Sequence, residues 1–171
     1  MEFVFETVYN REALTVMAKG LRKTARKKHS RRSHIFGWIV VALALLLSLP
    51  SEGGVEGKDV VTWLVVAVLL LTLFLEDRLN GWIAKKRMLP GTDGAVATFS
   101  EAGYYSETAM GNTEWKYENI SALAETKDYF VFVFGFNHAQ VYDKRSLTGG
   151  TVEDFRTFIQ GKTEKNIVPL K

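Results

Sequence analysis

The chain contains no cysteine. That excludes a disulfide framework, thiolate zinc sites, iron–sulfur ligation and thiol nucleophiles. Histidine is scarce too: His29 and His34 lie in a basic stretch, and His138 lies in an expected turn. No HExxH or related ligand spacing occurs, so no metal site is expected. GxSxG is missing, and Gly149-Gly150-Thr151 lacks the lysine of a P-loop. That triplet precedes an expected helix, where capping is a better role for it than anion binding. Neither catalytic residues nor a cofactor are expected. Proline appears at Pro50, Pro90 and Pro169 alone, and the first two fall where the composition changes. Neither an internal repeat nor a low-complexity tract is present.

A net charge of +3 over 171 residues is too mild to argue for nucleic acid. It is also an average of opposites. Residues 1–92 carry 14 basic and 8 acidic side chains, and residues 93–171 carry 8 and 11. Lys19, Arg22, Lys23, Arg26, Lys27, Lys28, Arg31 and Arg32 fall within fourteen residues, and Lys85, Lys86 and Arg87 form a second cluster. The first cluster lacks the interleaved aromatics that stack on bases, which argues again against nucleic acid.

The apolar residues are equally clustered. Ile35 to Leu49 and Val60 to Leu75 are free of charge. As helices they measure about 22–24 Å at ~1.5 Å per residue, slightly short for a ~30 Å hydrocarbon core. Ser33, His34 and Ser51 can extend the first, and Leu79, Trp82 and Ile83 the second. Two core helices of a soluble bundle are the alternative, but Leu64–Phe74 has no polar side chain except Thr72. A cleaved signal peptide is disfavoured by the poor cleavage site at Ser48-Leu49-Pro50-Ser51. We therefore expect two spans, about 35–51 and 60–83, joined by a loop over 50–59. The Lys/Arg excess flanks the outer ends of both spans, and the loop has only Lys58. The expected topology places both termini in the cytoplasm, with Trp38 and Trp82 near the inner interface and Trp63 near the outer one.

Residues 2–9 read as a strand, with Phe3, Phe5 and Thr7 on one face. Asn10 is placed to cap a helix. From Arg11, Leu14, Met17 and Leu21 share a face, and Lys and Arg dominate the others. A basic amphipathic helix of this kind suits anionic lipid headgroups, each surface-proximal cation contributing ~1 kcal/mol. The two basic clusters are thus candidate headgroup contacts; the plainer alternative is a topology signal.

Beyond Pro90 the pattern becomes that of a small β-rich domain. Strands are expected at 95–100, 104–108, 113–117, 120–126, 129–134 and 139–142. The apolar run Tyr129–Phe134 suits a strand buried on both faces. A helix is expected over Val152–Gln160, capped by Thr151 with Asp154 and closed by Gly161 in the left-handed position.

Trp115-Lys116-Tyr117-Glu118-Asn119-Ile120, Glu125-Thr126-Lys127-Asp128-Tyr129-Phe130, Lys144-Arg145 and Val152-Glu153-Asp154-Phe155-Arg156 together resemble the YcxB-like proteins. These are small bacterial membrane proteins with two transmembrane helices before a domain similar to bacterial pleckstrin-homology (PH) domains. The resemblance covers about residues 93–160, and the spans by position. It implies Trp115, Ile120, Tyr129, Phe130 and Phe155 as core residues. One departure is Asp143, in Val141-Tyr142-Asp143-Lys144-Arg145, where Ile-Pro-Lys-Arg is expected. It lowers the local positive charge and weakens any headgroup binding there.

The expected fold is an α+β membrane protein: residues 1–34 as strand and basic helix, 35–89 as a transmembrane hairpin, and 90–171 as a PH-like antiparallel β-domain with a C-terminal helix. The expected function is a non-catalytic module at the cytoplasmic face of a bacterial cytoplasmic membrane, with membrane lipids and a protein as partners. The apolar spans would form a transport path only as a homo-oligomer. A membrane immunity or stress protein against a membrane-active toxin is one alternative. A lipid-acting enzyme using Glu76 and Asp77 is another, although these carboxylates also mark the end of the second span, with Arg78 as a ready partner.

Overall fold

A computed structural model describes residues 2–48 and 57–171. Most of the loop expected over 50–59, with Pro50 and the end of the first span, lies outside the described residues. In order, the elements are β1 (Phe3–Val8), α1 (Arg11–Lys23), α2 (Lys27–Leu47), α3 (Gly57–Phe74), α4 (Glu76–Lys86), β2 (Gly94–Phe99), β3 (Tyr104–Thr108), β4 (Gly111–Trp115), β5 (Ala122–Glu125), β6 (Tyr129–Val133), β7 (Ala139–Asp143), α5 (Val152–Thr163) and β8 (Ile167–Pro169).

Four strands form one antiparallel sheet in the order β1-β2-β3-β4. The first strand therefore pairs with a strand that follows all four helices, in the register Phe3↔Phe99, Phe5↔Ala97 and Thr7↔Ala95. The period-2 pattern decides the face: Phe3, Phe5 and Thr7 are buried, and Glu6 and Val8 are exposed. The second sheet runs β7-β6-β5-β8. Its last pair is parallel, Leu123↔Ile167 to Glu125↔Pro169.

The main core lies between the two sheets and α5. Phe155 stands at its centre, with ring centroids 4.7 Å from Phe5, 5.0 Å from Phe99 and 5.1 Å from Phe130. Of the motif residues, Ile120, Tyr129, Phe130 and Phe155 are fully buried; Trp115 is half-buried against this core, with its indole nitrogen unpartnered among the described residues.

Helix α5 has the expected capping box between Thr151 and Asp154. It runs past Gly161 to Thr163, and Glu164 instead takes the left-handed conformation at φ 55°. The reason is the apolar stripe: Phe155, Ile159 and Thr163 are all buried at i, i+4 and i+8, so the helix gains by one more turn. Gly149 and Gly150 serve β1 rather than an anion. A Cβ on Gly149 would lie 1.9 Å from the Glu2 carbonyl oxygen, and one on Gly150 2.5 Å from the Phe3 ring.

Strand β6 is buried along its whole length, as its apolar run implies. Phe130 and Phe132 face the main core. Tyr129, Val131 and Val133 face a second core completed by Ala13, Met17 and Leu21 of α1.

Helices α2 and α3 are 21 and 18 residues long and apolar enough to cross a membrane. Only 11% of each apolar window is buried within the chain, and Phe36, Leu46, Leu47, Leu64 and Phe74 are among the exposed side chains. The pair packs where Gly37 meets Leu73 and where Trp38 meets Phe74 at 5.9 Å. Three boundaries differ from expectation, one being that α3 begins at Gly57, inside the loop expected over 50–59. Helix α2 begins at Lys27, so much of the basic cluster forms its first two turns; no Gly or Pro interrupts it there. The second long helix ends at Phe74, and residues 76–86 form the separate helix α4, because Glu76 and Asp77 turn toward cations elsewhere in the chain.

Candidate functional site

Helix α1 sits between the second sheet and α4. Both approaches are close because glycine is present. A Cβ on Gly20 would lie 2.6 Å from Val131 Cγ1, and one on Gly81 2.8 Å from the backbone nitrogen of Thr15. Asn10 caps α1 by accepting a hydrogen bond from the Ala13 N–H at 2.9 Å. The apolar face that the sequence offers to a lipid surface is thus used by the protein itself: Ala13, Leu14 and Leu21 are buried.

At the junction between the long helices and the sheets lies a charged cluster. Asp77 accepts hydrogen bonds from Arg22 Nε and Nη2 at 2.6 and 2.5 Å. Glu76 lies 2.7 Å from His34 Nε2 and 3.7 Å from Arg22 Nε. Arg22 is in the last turn of α1, and Glu76 and Asp77 are in the first turn of α4. Each charge therefore complements its own helix dipole. The hydrogen bond from Arg22 to Asp77 raises the Arg22 pKa against the opposing effect of burial. Arg78 is not the partner of these carboxylates; neighbours one or two apart on a helix point in different directions.

The other basic residues fall into two groups. Arg26 is engaged: it donates to the Phe136 carbonyl at 2.7 Å and to Asn137 Oδ1 at 2.8 Å, over the Phe136 ring. Lys19 is half-buried on α1. Lys23, Lys27, Lys28, Arg31, Arg32, Lys85, Lys86 and Arg87 are exposed. Lys86 stands over the Trp82 ring at 4.0 Å.

A second cluster brings together residues from three of the motif segments, whose contact with one another is not legible in the sequence. Glu125 on β5 receives Lys144 Nζ at 2.6 Å and Arg156 Nη2 at 3.0 Å. Burial pushes the Glu125 carboxyl up, but the bonds from Arg156 and Lys144 outweigh it, and the net pKa is lowered. These residues line a cavity of about 380 Å³ with Lys127 and Lys171. Nearby, Asp143 neutralises Arg145 at 2.6 Å and caps the turn after β7. The charge that Asp143 subtracts is thus taken from Arg145 by direct pairing.

Tyrosine hydroxyls in the main core serve structure. Tyr104 donates to Gln140 Oε1 at 2.8 Å, and Tyr142 donates to the same oxygen. Burial raises the pKa of both, holding them neutral. His138 packs edge-on to Phe134 and beside Trp115, at 5.1 and 5.2 Å, and desolvation lowers its pKa. Among the described residues no group of three or more His, Asp and Glu could hold a metal ion.

This arrangement defines a mixed α+β protein in which two span-length apolar helices are inserted between the first and second strands of one sheet. Residues 99–159 match the family model described as YcxB-like protein, and the two apolar helices lie N-terminal to that match. The matched segment runs from the end of β2 into α5, so β1, α1 and α4 lie outside it. No curated protein and no solved structure matches the chain.

Proposed function

We propose that the protein is a non-catalytic integral membrane protein that holds a PH-like interaction domain against the cytoplasmic face of the membrane. The observation that carries this reading is the insertion of the two span-length helices between β1 and β2, with α1 and α4 locked together at their base. A domain built in this way is not tethered by a linker. Its position follows that of the hairpin.

Several features support the finer points. Two sheets closed over a C-terminal helix are the architecture expected of a PH-like domain. The exposed apolar faces of α2 and α3 would be costly in water at ~25 cal/mol per Å². The first turn of α2 carries Lys27 and Lys28 and no acid, an arrangement that opposes the helix dipole. Attraction to anionic headgroups on the cytoplasmic side offsets that cost. The remaining exposed cations, through Arg32 and at Lys85–Arg87, would form the same collar. Asp77 and Glu76 are held by Arg22 and His34, which supports a bracing role for them rather than a catalytic one.

The test is carbonate extraction of cell membranes with a reporter fused after Lys171. The protein is expected in the pellet, with a reporter active on the cytoplasmic side. Release into the carbonate supernatant, or a reporter active only outside, would refute the reading.

A further inference from the structure

We infer that a groove between α1 and α4 binds the phosphodiester of one membrane phospholipid through Arg11 and Arg78. The inference rests on the membrane-anchored reading above and adds a defined site to it. The groove holds about 450 Å³ and is lined by Arg11, Glu12, Thr15, Val16, Arg78 and Trp82. Its two guanidiniums come from elements far apart in sequence, the first residue of α1 and the first turn of α4. Among the described residues neither takes part in an ion pair, whereas Arg22 pairs with Asp77 and Arg26 is held by the Phe136 carbonyl and Asn137. Two planar donors lining one groove suit a phosphodiester, whose oxygens accept paired N–H bonds.

The occupant is set by where the groove lies. Helix α4 starts two residues after the second span-length helix ends, so Arg78 falls at headgroup depth when α3 crosses the membrane. One turn on, Trp82 is 39% exposed, as is Leu79, and Ile83 is 38% exposed. Leu79 and Ile83 point away from α1, whose contact is made at Gly81 and Asp77, and Trp82 stands at the edge of that face, where it lines the groove. An indole and two aliphatic side chains on one face, flanked by Lys85 and Lys86, are the pattern of a helix lying in the membrane interface. A phosphate bound in the groove would thus have acyl chains leaving along Trp82 and Val16 toward the bilayer. A soluble phosphate would use the guanidiniums but leave that apolar rim empty.

The test uses the full chain, purified in mild detergent and stripped of lipid. Phosphatidylglycerol is titrated in and the bound adduct is read by native mass spectrometry. One adduct is expected to saturate first. R11Q/R78Q is expected to weaken it by roughly a hundredfold, about tenfold per charged hydrogen-bonding group. K116Q/K127Q removes the same charge from exposed positions outside both the groove and the basic collar and is expected to leave that first adduct within about twofold. Circular dichroism of each variant reports whether the fold is kept, and R11K/R78K, which keeps the charge, is expected to recover part of the affinity. Equal binding by folded R11Q/R78Q and the unaltered chain would overturn the site. So would competition by inorganic phosphate at concentrations matching the lipid. Carbonate extraction separates this failure from that of the anchoring itself, since a groove variant is expected to remain in the membrane pellet.

Discussion

Gly81 and Gly20 hold α1 in place by having no side chain. The Cβ of an alanine at Gly81 would meet backbone atoms of Thr15, and backbone cannot rotate away. Gly81→Ala is expected to destabilise the protein by about 1–3 kcal/mol, measured as a shift in thermal unfolding in detergent. Gly161 is the internal control: it is helical, exposed and has open space around its Cβ position. Gly161→Ala is expected to stabilise by up to ~1 kcal/mol. Equal effects at the two positions would remove the packing argument. Glu125 makes a prediction in pH. Its folded pKa is depressed, so its contribution is fully present above the unfolded carboxylate value near ~4.3 and is lost as pH falls through the folded value. Glu125→Gln is expected to cost about 1–2 kcal/mol at neutral pH, because Lys144 loses its carboxylate partner with only 7% of its side chain exposed. The same variant is expected to flatten the acid limb of the stability curve. A loss that is the same at pH 7 and at pH 3 would contradict that assignment.

Among the elements, β1 has the largest influence for its length. It contributes Phe3 and Phe5 to the main core, and Phe5 touches Phe99, Phe130, Tyr142 and Phe155. Phe5→Ala is expected to cost about 3–5 kcal/mol. A fragment of residues 90–171, cut at the composition change, is expected to fail to give a cooperative unfolding transition, because it leaves β2 as an unpaired edge. Adding residues 2–9 as a separate peptide is expected to restore part of the signal. At the junction, Arg22→Gln and Asp77→Asn form a double-mutant cycle. A coupling of about 1–2 kcal/mol is expected, since both side chains are mostly buried and the contact is bidentate. Additive losses would mean that α1 and α4 are joined by packing alone.

At the scale of the whole molecule, local pattern carried far in the sequence. The strand at the N-terminus, the strands from β2 to β7 and the helix capped by Thr151 were all legible, because each depends on a period of two or 3.6 and on nearby turn residues. Strand β4 lies at Gly111–Trp115 rather than at the expected 113–117. It begins at Gly111, since that glycine adopts φ 143° and closes a two-residue turn. Strand β8 was missed, because Ile167–Pro169 is too short to show a period and pairs parallel with β5. The amphipathic face of α1 was visible, but what covers it was not. A period reports that a face is apolar; it does not distinguish lipid from a β-sheet. The charged cluster was half visible: Glu76 and Asp77 were singled out as a pair, and the partner expected was the adjacent Arg78. Arg22, 55 residues from Asp77, is the one that binds.

The sequence by itself determined the two apolar helices, the strands that alternate and the caps that start α1 and α5, since these follow from interactions within a few residues. The tertiary structure alone decided that β1 crosses over the helical hairpin to pair with β2, that α1 is enclosed on two sides, and that Arg22 and Asp77 meet while Arg11 and Arg78 share a groove. The physical reason is the range of the forces involved. Periodicity and capping are local and leave a mark along the chain, whereas close packing at Gly20 and Gly81 and the pairing of distant charges depend on surfaces that exist only once the chain has folded.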